Sequence, residues 1–488
     1  MKPTHRLKDR FSQRGQAVLW FLATTAACCA VFALVYNVGQ VTNEKEKTIN
    51  AADASALSGA LVEARMLNFE SYTNRAIVAN EELIAQLASL DAWVRYGNRL
   101  SDGLALLTVW IPYVDEFTVE FAEGMQELAT GVDEVTQVGV KLDDTILING
   151  LMAAQEAANV VAVLAAQDVA NRVAHANQTV FGNRFDAAPE LAGGAMGQVG
   201  WYARNEAVWN HFTQRNQANA AQIVVDSRDQ FTAHRGTGWL IDAINRLLKI
   251  TSLVGVSVGL EKTSGSTILR GYDRWEAEDS LDLWAKPWFS KKHYIAPIGW
   301  GRDNVALAPS QGIDWNGDHA LCTANYKPRW WGGCEFAYLD SNRTSGWTGI
   351  RSALDLNAAS SVDANSDAAL TYVVAVQKAG SATMTTQRLG SGMNNVHVDG
   401  PQGSPDLKDN LQNGDRTTSL AAARVFFARP QWNPKDRTEG NLPRPDHVRE
   451  YASLYNPYWQ ARLAQAGPLE RTLFYAALGK PGLNAFTP

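Results

Sequence analysis

No charged residue stands between Arg14 and Glu44, and the run from Ala17 to Val38 is almost wholly apolar. A helix over that run is about 33 Å long, enough to cross the roughly 30 Å hydrocarbon core of a bilayer. Beyond it, Ile49, Ala52, Ala56, Ala60, Ala64 and Leu67 recur at helical spacing. The membrane helix is therefore expected to continue outward as a long stalk with one narrow face of small residues. A second pattern runs through Phe121, Met125, Leu128, Val132, Val135, Val138 and Leu142. Its steps average close to 3.5, the spacing of a coiled-coil seam, and the expected outcome is an antiparallel hairpin within the chain. Leu104 to Val114 is apolar but too short to span and contains Pro112, so it reads as a buried or interfacial bend. Helices are also expected from Gly150 to Val180 and from Trp239 to Leu248. Thr371 to Gln377 and Ala422 to Phe427 concentrate β-branched and aromatic residues and read as strands.

Proline divides the chain. Only Pro112 and Pro189 fall between Thr4 and Lys286, while fourteen prolines follow from Pro287 onward. Proline breaks helix interiors and sheet ladders, so the first part can be mostly helical and the second is loop-rich. The expected class is α+β: a transmembrane helix leading into a helical stalk or hairpin region, then a loop-rich mixed or β-rich domain. The expected divisions are a basic tail over 1–15, the membrane helix over 16–40, a helical region over 41–260 and the mixed domain over 261–488.

Charge sets the orientation. Lys2, Arg6, Lys8, Arg10 and Arg14 precede the apolar run, opposed only by Asp9, which places the tail in the cytoplasm and the bulk outside. A cleaved signal would have a shorter core and a small-residue site, which Tyr36–Gln40 does not offer. A lipoprotein cysteine would end the apolar run, whereas the run continues well past Cys28; Cys28 and Cys29 read as small apolar helix residues. The net charge of −6 has no basic face beyond the tail, which argues against nucleic acid as a partner. Outside the membrane helix, Cys322 and Cys334 are expected to pair as a disulfide, with Asp318 and His319 keeping a metal reading open.

Candidate chemistry is sparse. The sequence has no nucleophile elbow, no zinc-protease helix and no phosphate-cradling loop. Asp314-x-Asn316-Gly317-Asp318 starts like a calcium loop but lacks its sixth-position glycine and closing glutamate, and His397-x-Asp399 has no nucleophile nearby in sequence. No cofactor, metal or small-molecule substrate is expected, and the protein is read as a non-enzyme. Eight of the sixteen tryptophans lie between Trp275 and Trp347. They are expected to fill a core; the rival reading is an anchored envelope enzyme or glycan-binding protein with its site among them.

Residues 51–60, AADASALSGA, are nearly all alanine, serine and glycine. Ala52, Asp53, Ala56, Gly59 and Ala60 are the expected helix-packing face, either within this chain or against other subunits, because small side chains let backbones approach. Bulky substitutions at Ala56 or Gly59 are expected to impair assembly more than Glu63→Leu, taken as lying on the opposite side. This stretch resembles the alanine-rich signature of the TadG-like family of tight-adherence (Flp, type IVc) pilus assembly proteins. Arg14-Gly15-Gln16-Ala17 at the helix entry and Val38-Gly39-Gln40 at its exit add to the resemblance, as do Asn68–Asn74 and Ser453–Leu463. The resemblance implies an inner-membrane protein with a periplasmic body that works with other pilus-assembly membrane proteins or pilin subunits. It also suggests a prepilin-type processing point at Gly15. Related pseudopilins place a glutamate where Trp20 stands here, so the expectation is an uncleaved anchor. The metal motif of some members fails at Leu57 after Asp53-Ala-Ser55, and no metal is carried over.

Overall fold

The apolar run and the alanine-rich stretch lie on one unbroken helix of 93 residues, α1 (Gln16–Thr108), in the computed structural model of the protein. The structure describes residues 16–108, 115–177, 189–192, 194–250, 255–309, 321–322, 326, 331–357, 369–379, 416–428 and 452–477. The tail, the Pro112 bend, residues 314–319 and the His397-x-Asp399 pair lie outside them. After α1 come α2 (Asp115–Leu142), a π-helix (Asp143–Ile148) and α3 (Asn149–Ala176). Next are β1 (Glu190–Leu191), α4 (Gly194–Phe212), β2 (Thr213–Asn216), α5 (Gln217–Ser227), α6 (Gln230–Ala233) and α7 (Trp239–Ile250). The C-terminal half holds β3 (Val256–Arg270), β4 (Arg274–Pro287), β5 (His293–Ala306), α8 (Gly333–Leu339), β6 (Asn342–Ser345) and β7 (Ala353–Leu356). It closes with β8 (Ala369–Ala379), β9 (Arg416–Phe427), β10 (Trp459–Ala464) and α9 (Pro468–Ala477).

The class is mixed α and β. One sheet has the order β1-β8-β9-β10 and another β3-β4-β5-β6, with β2 and β7 forming a separate pair. All pairings are antiparallel except β5 with β6. The β3–β4 turn is made possible by Gly271, whose φ of 59° suits glycine.

From α1 outward, the layers follow side-chain size. Residues 16–40 carry large apolar groups with no cover: Trp20, Phe21 and Phe32 are 73%, 72% and 73% exposed. From Ala51 the helix enters the body, and Ala51, Ala52, Ala56, Ala60, Ala64 and Leu67 share a core with α3 and the β8–β9–β10 sheet. Farther along, β5 lies directly on α1. A Cβ at Gly299 would crowd Leu100, and one at Gly301 would overlap the Ala92 carbonyl, so the strand approaches only because both are glycine. The helix is therefore no bare stalk beyond Ala51. Residues 41–260 and 261–488 also share their cores: Trp275, Trp347 and Tyr455 pack with Ile77, Ile84 and Ala88 of α1.

The expected hairpin is present and antiparallel. Ala170 and Ala174 share the core of Ala51 to Leu67, Gln155 Nε2 donates to the Asn74 side chain at 2.7 Å, and Met125 reaches Gly97. The heptad pattern of α2 does not form its seam, however. Leu128, Val135, Val138 and Leu142 are exposed, whereas Thr136, Val140, Asp143 and Asp144 are buried. The inward side is polar because it meets donors from the segment around β6. Asn342 donates to Asp133 at 2.7 Å, and Thr348 and Arg351 donate to Asp144.

Candidate functional site

The small-residue face at 51–60 meets this chain's own sheet and α3. Ala52, Ala56 and Ala60 are buried, and a Cβ built at Gly59 would overlap the Tyr372 ring of β8. Close approach thus serves helix-on-sheet packing inside the protein. Asp53 sits half-buried at the margin of this face, and burial raises its carboxyl above the ordinary range. Glu63 is not on the opposite side. It follows Ala56 by seven residues, about two turns, and is 1% exposed.

Glu63 belongs to a row of acids that sequence reasoning missed. Glu44, Glu63, Glu70, Glu81 and Asp91 are all buried on α1. At the start of the row, Glu44 accepts from Lys378 of β8 at 2.5 Å, tying the end of the bare apolar run to the sheet. Glu81 accepts from Trp347 Nε1 at 2.9 Å, and Asp91 accepts from Arg95 at 2.8 Å. By contrast, neither carboxylate oxygen of Glu70 has a hydrogen-bond partner, and one oxygen each of Glu63 and Glu81 has none. Burial pushes the carboxyls of Glu63, Glu70 and Glu81 up to about 8. The available signal was spacing, since Glu63 and Glu70 continue the seven-residue repeat from Ala56.

A second polar core lies within β3–β4–β5. Arg302 donates to Glu278 at 2.8 Å and to Glu276 at 3.0 Å. Asp279 takes ion pairs from Arg235 at 2.6 Å and Lys262 at 2.7 Å. Asp282 accepts from Thr263 at 2.5 Å and from the Gly333 N–H at 2.7 Å. These carboxylates are held by cations and donors of the chain itself, which suits structure rather than substrate chemistry.

Cys322 and Cys334 are joined as a disulfide with Cα atoms 6.4 Å apart. Glu278 lies close enough that it and the two sulfurs form a possible metal-ligand group, but a sulfur in a disulfide is not a thiolate ligand. The tryptophans of 275–347 divide between core and surface. Trp275 and Trp347 are fully buried and stack with centroids 6.1 Å apart, whereas Trp288 and Trp331 are 72% and 49% exposed.

Gly15 lies just outside the described residues. Residues 15–62 match the Tad family model, "Putative Flp pilus-assembly TadE/G-like". No curated protein and no solved structure matches the chain. The N-terminal resemblance thus holds for the apolar run and the small-residue face behind it.

Proposed function

We propose that the chain is a membrane-anchored, non-enzymatic component of a Flp/Tad-type pilus assembly or secretion apparatus. The observation that carries this is the TadE/G-like match over residues 15–62, the stretch where α1 passes from bare apolar surface into the packed body. In this reading the first fifteen residues are cytoplasmic, residues 16–40 span the bacterial inner membrane, and the body is periplasmic. It acts through lateral helix contacts in the membrane and protein contacts outside, with pilin subunits or other assembly membrane proteins as partners. The internal pairing of Glu278 and Asp279 with Arg302 and Arg235 agrees with a structural role for the β3–β4–β5 sheet. Deleting the gene should abolish piliation and adherence, and restoring the full chain should recover both. Normal piliation with a cell-wall or polysaccharide defect would overturn the proposal.

A further inference from the structure

The rod made by α2, the π-helix and α3 turns one side to α1 and leaves the other bare. Leu128, Val135 and Leu142 lie seven apart and are 46%, 60% and 52% exposed. The π-helix then adds one residue to the count. Past it the same side resumes at Gly150, Ala157 and Leu164, again seven apart and again exposed. Exposed Val138, Ile146 and Val160 fill intermediate positions. The result is a heptad seam about 54 Å long with no charged residue in it. A wider π turn absorbs the extra residue and keeps the two halves in phase.

Glycine supplies a second, independent observation. A Cβ at Gly131 or Gly150 would meet nothing within 4 Å, so the chain's own packing does not require glycine there. Glycine is destabilising inside a helix, and a closely approaching second helix gives it a use.

We infer that this seam pairs with the same seam on a second copy of the chain, the two rods running parallel. The inference rests on the anchored reading above, because copies held in one bilayer by α1 stand the same way up. The lipid surface itself is a poor occupant. The seam runs alongside α1: Gln155 meets Asn74, so Leu164 at the nearer end, nine residues on in the antiparallel run, lies about 37 Å past Gln40. Charge agrees with the parallel arrangement. Glu127, Glu134 and Lys141 flank one edge and would face the uncharged Val132 and Gly139 across a parallel seam. An antiparallel pair centred on Val135 would set Glu134 beside its own copy. The seam is one narrow stripe on a single rod, whereas a free-standing complex buries roughly 800 Å² per partner, so pairing depends on the shared membrane.

The test uses the full chain in its native membrane, with Cys28→Ala and Cys29→Ala to remove the anchor thiols. Leu128→Cys and Leu164→Cys are introduced singly and oxidised with copper–phenanthroline, with Gln222→Cys on the surface of α5 as control. A disulfide-linked homodimer at both seam positions and not at the control is expected. Adding Leu142→Glu to Leu128→Cys should lower the linked fraction by at least about tenfold while leaving thermal unfolding unchanged. Linkage at one seam position only, no linkage, linkage to a different protein, or indifference to Leu142→Glu would each overturn the inference. Cross-links in the cysteine variants together with normal piliation of the deletion strain would sink the pilus reading alone; a pilus defect on deletion without cross-links in the variants would sink the pairing alone.

Discussion

Glu70 has both carboxylate oxygens buried without a partner, an arrangement tolerable only while the group is protonated. Unfolded, such a carboxyl ionises near 4.5; folded, Glu63, Glu70 and Glu81 hold their protons up to about 8. The native state therefore binds more protons between those values. Their contribution to stability is full below about 4.5, falls as pH rises and is lost above about 8. Thermal unfolding of the full chain in detergent should show a higher midpoint at pH 5.5 than at pH 8.5. Glu70→Gln should narrow that gap and raise the pH 8.5 midpoint by about 1 °C for each kcal/mol relieved; an unchanged gap would refute the assignment. At Gly59 the constraint is steric. Gly59→Leu must displace Tyr372, and overpacking of this kind costs about 1–3 kcal/mol, read as a lower unfolding midpoint before any assembly assay. The small face was legible in the sequence. Its occupant was not, because Tyr372 lies more than three hundred residues away.

At the scale of elements, periodicity showed that α2 and α3 are helices but not which way they face. The seam at Leu128, Val135 and Leu142 was plain, yet the inward side is set by donors on Asn342, Thr348 and Arg351, which no local pattern connects to it. Strands β8 and β9 were visible where β-branched residues cluster. The β3–β4–β5 sheet was not, because its inner positions are Glu276, Glu278, Asp279 and Asp282, which read as surface until Arg302, Arg235 and Lys262 are placed beside them. The Cys322–Cys334 bridge ties α8 to Cys322, which itself pairs with Ser264 of this sheet. Breaking it with Cys334→Ser should cost about 3 kcal/mol, measured by denaturant unfolding with and without reductant. Equal midpoints in wild type and variant without reductant would show that the bridge contributes nothing.

For the whole molecule, the decisive measurement is orientation. Reporter fusions after residue 100 should be active only with a periplasmic reporter, since the basic tail precedes the one bare apolar run on α1. Activity of a cytoplasmic reporter there would invert the arrangement and remove the basis for the proposed role. The mixed class, helical first and stranded later, could be read from the chain; most of the strands and the merging of the two halves could not, since contacts such as Gly301 on Ala92 join distant segments. That merging has a mechanical consequence. The helix that carries the bare apolar run is also the spine of the body, unbroken from Gln16 to Thr108, and the Glu44–Lys378 pair clamps it to β8 just where it enters. On the anchored reading proposed above, a pull on the N-terminus therefore acts on a strut rather than a tether, and load on the apolar run reaches both sheets through one continuous helical backbone.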